Sequence, residues 1–258
     1  IAAKAENFTR SYYRTRNLFA TKLLTGATAG ADGTGTTVTF GPAGATQTFD
    51  ITTADGVPLF SAAHTASPNR FHAVSGAGVT PAMVESVISA AVSKVRNMRD
   101  ENGYPMGYTA DTIVIPCDDP ALESAVKKVL GSEFLGGEGG MLSGSINLHY
   151  GNWNLIIDPL WQRSVATSHP MIIFSSAARR NLQAAMFFDR TPLDVSDFVD
   201  EATLDYMWTG YARMSAGFVT HKWGCLVDIL DSGTTALFDG AATGEGGAAT
   251  AQSAVLTL

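Results

Sequence analysis

An α+β fold is predicted by three features of the 258-residue chain: a long amphipathic helix beginning at Thr80, a stretch of period-two alternation before it, and short apolar runs after it that are interleaved with a second helical pattern. Thr80-Pro81 is a helix entry signal, because the hydroxyl accepts an N-terminal N–H and proline fits the first helical position, where its missing donor costs nothing. Val84, Val87, Ile88, Ala91, Val95 and Met98 recur at spacings of three, four and seven, which predicts a helix from Thr80 to Met98 with one apolar stripe. Lys94, Arg96 and Arg99 suit the negative end of its dipole, and Asn102-Gly103 is the expected stop.

Before this helix, Ala5 to Leu24 is helix-like, with Phe8, Tyr12, Leu18, Phe19, Leu23 and Leu24 among Arg10, Arg14, Arg16 and Lys22. Its excess of basic residues reads either as a solvated helix face or as an arm that touches nucleic acid or an acidic neighbour. Gly26 to Gly35 is a Gly, Ala and Thr linker. Val38 and Phe40 then alternate with threonines, Gly41-Pro42-Ala43-Gly44 offers a turn, and Phe49 and Ile51 alternate with polar residues, which predicts a β-hairpin with one apolar face. No residue from Gly33 to Phe49 is charged. A two-stranded ribbon is marginal alone in water, so this hairpin is expected to rest either on its own domain or on a neighbouring copy. In the second case, replacing Phe40 or Phe49 should spare folding and impair assembly. Asp55-Gly56-Val57-Pro58 reads as a turn, and His64 and His72 fall in a polar loop where a histidine is ordinarily solvated.

After the long helix, Thr112 to Pro116 reads as a strand covered on both faces, and Asp119-Pro120 starts a helix with Leu122, Ala125, Val126 and Val129 on one side and Gly131 as its stop. Gly136 to Gly140 reads as a flexible loop. Strands are expected at Trp153 to Asp158 and Met171 to Phe174, joined by a loop carrying Trp161, Arg163 and His169. A short helix is expected from Asp197 to Trp208, and an extended segment from Tyr211 to Ile229 with Trp223, Cys225, Val227 and Ile229 on one side. From Asp231 onward the chain has little to bury, so that tail is expected to be weakly ordered or held by a partner.

A chain of this length buries roughly 75% of its unfolded surface. The net charge of −7 argues against a protein built to grip phosphate backbones. Cys117 and Cys225 have no CxxC or Cys/His spacing, so buried free thiols are expected rather than a disulfide or zinc framework. There is no run of eighteen apolar residues and no secretory signal pattern, so no membrane partner is expected. The first residue is Ile1 rather than Met, which is expected of a truncated or processed chain.

Reactive residues do not converge on a motif. Gly144-Ser145-Ile146-Asn147 lacks the second glycine of a nucleophile elbow, and neither glycine-rich stretch is followed by Gly-Lys-Ser/Thr. His149 and His169 are not at metal-ligand spacing, the Asp118-Asp119 pair precedes proline and reads as a helix cap, and Lys127-Lys128 and Arg179-Arg180 read as solvated faces. No catalytic residue, metal site or cofactor is therefore expected. A hydrolase drawing on Ser143, His149 and Asp158 is the weakest alternative.

Three segments resemble the major capsid proteins of tailed bacteriophages with the Hong Kong 97-type (HK97-type) fold, in particular the Mu-like major head subunit family. They are Asp55-Gly56-Val57-Pro58-Leu59-Phe60-Ser61-Ala62-Ala63-His64, the Thr80 to Asp100 helix with its exit through Pro105, and the Asp111 to Ser132 strand-helix pair. Asp205 to Ile229 is similar too, and the resemblance spans about Ala5 to Leu230. It implies an N-terminal arm (1–26), an extended loop region with the hairpin (27–79), a peripheral domain with a spine helix (80–107), an axial domain (108–198), a return to the peripheral domain (199–230) and a tail (231–258). It further implies a shell of hexamers and pentamers of this chain, assembled in the host cytoplasm as a virion capsid that encloses double-stranded DNA without sequence-specific binding. Scaffold, portal and cement proteins would be its partners, and no enzymatic activity is implied. The expected subunit contacts are Val38, Phe40, Phe49 and Ile51 on the hairpin and Arg10 and Arg14 on the arm. Shells of this fold that are covalently locked use a lysine in the extended loop, and there is none between Ala27 and Val79, so non-covalent locking is expected. A nanocompartment shell of the encapsulin kind, enclosing a cargo enzyme instead of DNA, is the alternative within the same architecture.

Overall fold

The computed structural model describes residues 2–28, 36–41, 46–64, 67–75, 78–135, 145–163, 166–199, 206–231 and 255–256. The glycine-rich stretch at 136–140, the hairpin turn at 42–45 and most of the tail lie outside them.

The elements in chain order are α1 (Ala2–Gly26), β1 (Thr37–Phe40), β2 (Gln47–Asp50), β3 (Arg70–Ser75), α2 (Pro81–Arg96), β4 (Thr112–Pro116), α3 (Pro120–Gly131), β5 (Phe134–Leu135), β6 (Ser145–Ile146), β7 (Asn154–Asp158), β8 (Ser168–Phe174), α4 (Ser176–Asn181), β9 (Ala185–Val199), β10 (Tyr206–Phe218), β11 (Gly224–Asp231) and β12 (Val255–Leu256). The architecture is α+β. A six-stranded mixed sheet in the order β12-β3-β11-β8-β4-β7 forms the centre. β11 runs parallel to β3 and antiparallel to β8, and β4 runs antiparallel to β8 and parallel to β7.

Both faces of this sheet are covered, which is why β4, β8 and most of β11 are buried at every position rather than at alternate ones. Ile113, Ile115, Met171, Ile173, Cys225, Val227 and Ile229 point to the layer formed by α2 and α3. Val114, Ile172, Phe174 and Leu226 point the other way, to a core shared with α1, Leu59, Phe60, Trp161 and Trp223. Trp223 therefore lies on the face opposite Cys225, Val227 and Ile229, contrary to expectation, because residues 219–223 turn before the strand begins.

The long helix starts where expected. Thr80 caps it, its side chain accepting from Met83 N at 3.3 Å, but Asn97 ends it five residues before Asn102. Gly103, at φ 82°, instead serves a tight turn bridged between Arg99 and Pro105. The helix is about 24 Å long, and the expected stripe from Val84 to Val95 is buried. Asp119 caps α3 through Leu122 N at 3.1 Å, followed by proline as expected.

The hairpin forms with Val38 opposite Phe49. It rests on its own chain: the Phe40 and Phe49 rings lie 5.2 and 4.8 Å from Phe19 on α1, and a Cβ at Gly26 would fall 2.1 Å from Val38 Cγ2, so only glycine lets helix and ribbon approach this closely.

Other expectations are corrected. In the segment from Asp197 to Trp208, where a helix was expected, the described residues 197–199 and 206–208 instead belong to a long antiparallel ribbon in which, among the described residues, β9 and β10 pair only with each other, Phe198 opposite Met207. The pairing shifts register between Tyr211 and Met214, opposite the stretch holding Pro192, which has no N–H to give the ladder. His72 lies in β3 and His169 in β8, not in loops, and His64 is 2% exposed rather than solvated. Cys225 is buried as expected, but Cys117 is exposed. In the tail, Val255–Leu256 pairs along β3 at His72 and Ala73.

Candidate functional site

Three places hold residues that a purely structural reading leaves prominent: the junction of the Asp55 turn with the turn before β11, the polar edge where α3 meets β8, and the free surface of the β9–β10 ribbon.

At the first, the segment Asp55 to His64 folds onto itself. Leu59 and Phe60 are fully buried, Asn69 donates to Leu59 O at 2.8 Å, and its Oδ1 accepts from Ser61 N at 3.0 Å. Asp55 Oδ1 accepts from Thr53 Oγ1 at 2.5 Å and Val57 N at 3.2 Å. Its other oxygen, Oδ2, faces His64 Nδ1 at 2.8 Å and His221 Nδ1 at 3.5 Å. The two imidazoles stack with centroids 3.5 Å apart. Burial opposes the charge on Asp55, but the hydrogen bonds from Thr53, His64 and Val57 outweigh it and hold the carboxyl at about 2. Burial and the neighbouring His64 push His221 down to about 3. Sequence spacing could not reveal this cluster, because Asp55 and His221 are brought together only by the return of the chain into β11. The Asp-Gly-x-x-Leu-Phe-Ser-x-x-His pattern was the available signal.

At the second, Asp119 Oδ2 receives His169 Nδ1 at 2.5 Å and Arg163 Nη1 at 3.4 Å. Asp231 Oδ1 approaches His169 Nε2 at 3.5 Å. Burial works against charge on His169, yet Asp119 and Asp231 prevail and raise its pKa. The network pins the start of α3 to β8. The neighbouring Ser168 hydroxyl is directed to Asp228 at 2.8 Å.

The residues of the hydrolase alternative have other partners or lie outside the described residues. His149 Nε2 pairs with Ser89 Oγ at 2.9 Å, Asp158 accepts from Thr21 at 3.2 Å, and Ser143 lies outside the described residues. Cys225, its thiol pushed up to about 12 by burial, is unsuited to nucleophilic chemistry.

The expected contact residues divide. Arg10 and Arg14 are exposed on α1, Arg10 paired with Glu6 at 2.6 Å. Val38, Phe40 and Phe49 are half-buried against α1, and Ile51 is buried, 1% exposed. The larger free apolar surface is on the ribbon, where Phe188, Val195, Phe198, Val199, Met207 and Tyr211 are exposed. The base of the ribbon is anchored: Phe187, Met214, Ala216 and Phe218 pack on the second core, and Arg16 of α1 pairs with Asp189 at 2.7 Å. Among the described residues no helix is long and apolar enough to cross a membrane.

No protein family model matches the chain, and no curated protein matches it. Solved structures similar to parts of it include two from phages. A chain from Mycobacterium phage Che8 aligns over 67% of this chain and 57% of its own, at 14% identity and a TM-score of 0.38. A chain from the satellite phage P4 procapsid, described as including the size determination (Sid) protein, aligns over 70% and 46%, at 13% identity and a TM-score of 0.32. The chain thus spans about half the length of these structures. At these TM-scores neither alignment decides the fold.

Proposed function

We propose that this chain is the major head subunit of a tailed phage, a structural protein of the Mu-like kind with the Hong Kong 97-type fold, which assembles into hexamers and pentamers of a shell around double-stranded DNA. The observation that carries the reading is the β9–β10 ribbon: two strands of 15 and 13 residues, paired among the described residues only with each other, bearing exposed aromatic and aliphatic side chains along their outer part. Such a ribbon is marginal alone in water and its apolar side chains call for a partner surface, which identical copies in a closed shell supply. The resemblance of the Asp55 to His64 segment and of the Thr80 helix to that family supports the same reading, and no catalytic role is assigned. Scaffold, portal and cement proteins are the proposed partners, and the virion capsid, assembled in the host cytoplasm, is the proposed location.

Electron microscopy and light scattering of the purified chain test this. Rings or shells are expected, and a chain that stays monomeric at high concentration refutes the proposal. Particles that carry a protein cargo and no nucleic acid would favour the nanocompartment shell instead.

A further inference from the structure

The arrangement at Asp55 poses a problem of satisfaction. One carboxylate oxygen, Oδ2, confronts two imidazole nitrogens, while the other oxygen is already engaged by Thr53 and Val57. A proton on His64 Nδ1 serves the contact at 2.8 Å but leaves His221 Nδ1 at 3.5 Å, too long for a good hydrogen bond. His64 Nε2 lies 3.4 Å from Leu59 O, the position of an N–H donor. When that nitrogen carries the proton of the neutral ring, Nδ1 and Asp55 Oδ2 meet lone pair to lone pair, which requires a cation between them. On His221, Nε2 is buried with no hydrogen-bond partner, so its polar contact lies on the Nδ1 side too.

We propose that Asp55 Oδ2, His64 Nδ1 and His221 Nδ1 bind one divalent transition cation, zinc being the best match, and that this ion fastens the Asp55 turn to the turn preceding β11. The three donor atoms lie within 4.8 Å of one another. Donors about 2.0–2.1 Å from a tetrahedral zinc are about 3.3 Å apart, and the observed carboxylate–imidazole separations of 2.8 and 3.5 Å bracket that value, while the two stacked imidazoles, 14° apart in plane, must turn about their side-chain torsions to bring both in-plane lone pairs onto the ion. Two imidazoles and one carboxylate suit zinc and its first-row neighbours rather than calcium or magnesium, which take oxygen donors. Outer contacts are present for two of the three ligands, since Thr53 and Val57 orient the carboxylate and Leu59 O faces the remote nitrogen of His64, whereas His221 Nε2 has none among the described residues. The Asp55 side chain is 40% exposed, which gives an ion entry and leaves the fourth position to water.

The test is a titration of the chelator-treated full chain with Zn2+ by calorimetry and with Co2+ by visible absorption, alongside His221→Gln and Asp55→Asn. One equivalent of Zn2+ per chain, the intense absorption of four-coordinate Co2+, a rise of the unfolding midpoint with Zn2+, and at least a tenfold loss of affinity in both variants are expected. Chelator-treated unfolding midpoints of the variants show whether they fold, and Asp55→Asn, at the more exposed ligand, is the gentler substitution. Absence of stoichiometric binding by the native chain, or binding that persists unchanged in the two variants, overturns the proposal and leaves the cluster a hydrogen-bonded Asp–His pair. Both measurements read the single chain, so they are independent of whether it assembles into shells.

Discussion

Asp228, 1% exposed in the middle of the central sheet, is a carboxyl whose charged form burial disfavours. Burial raises it to about 6, against the opposing effects of the Ser168 hydroxyl, Arg70 and His169. Between its unfolded value of 3.8 and about 6 the native state holds a proton that the unfolded state has released, so this group's contribution to stability falls as pH rises through that window and is flat above it. A shift of about two units corresponds to an effect on the order of 3 kcal/mol. Asp228→Asn removes the titration. Urea unfolding should show the variant gaining on the parent by about 2–3 kcal/mol between about pH 4 and about pH 7, and a pH-independent gap would contradict the assignment. His169 adds a slope of the same sign at higher pH: its raised value gives stability that is present below its unfolded pKa of 6.5 and lost as pH climbs through the folded one. At this scale the sequence was a poor guide. Its loop position made His64 look solvated and its spacing made His169 look isolated, because what neutralises a polar group is a partner far along the chain.

At the scale of elements, α1 is the organiser that the sequence underrated. Phe19 and Leu23 of α1 and Ala27 just after it recur every four residues and are buried, and Phe19 meets Phe40 and Phe49 of the hairpin and Phe187 of the ribbon. Phe19→Ala should destabilise the chain by about 3–5 kcal/mol, read by thermal or denaturant unfolding, since it opens a cavity shared by three elements. Phe40 and Phe49 belong to the same contact, so substitutions there weaken the subunit itself and no longer isolate assembly. α2 was read well: its stripe of three- and four-residue spacings is buried as drawn. Ile88→Asp, placing an unpaired carboxylate at a fully buried position, should leave no folded chain by circular dichroism, because the penalty of several kcal/mol approaches the whole stability of a typical domain.

At the scale of the molecule, the ribbon is where folding and assembly separate. Phe198 and Tyr211 are exposed and make little contribution to the subunit core, so Phe198→Ser and Tyr211→Ser should keep the unfolding midpoint within a few degrees of the parent while reducing particle yield in light scattering. Parental yield from both variants would remove the ribbon from the proposed interface. Mature particles on denaturing gels should run as single subunits, since the extended loop region offers no lysine for a covalent link, and a ladder of joined subunits would refute non-covalent locking.

The sequence by itself determined the local elements that announce themselves through short-range physics: the Thr80 and Asp119 caps, the buried side of α2, the β4 run and the hairpin's alternation all depend on residues a few positions apart. Only the tertiary structure decided that Asp197 to Val199 belongs to a strand, that the hairpin lies on α1, and that Asp55, His64 and His221 share one point. Each of these depends on which distant segment becomes a neighbour, and that is settled by the packing of both faces of the central sheet, which no local pattern encodes.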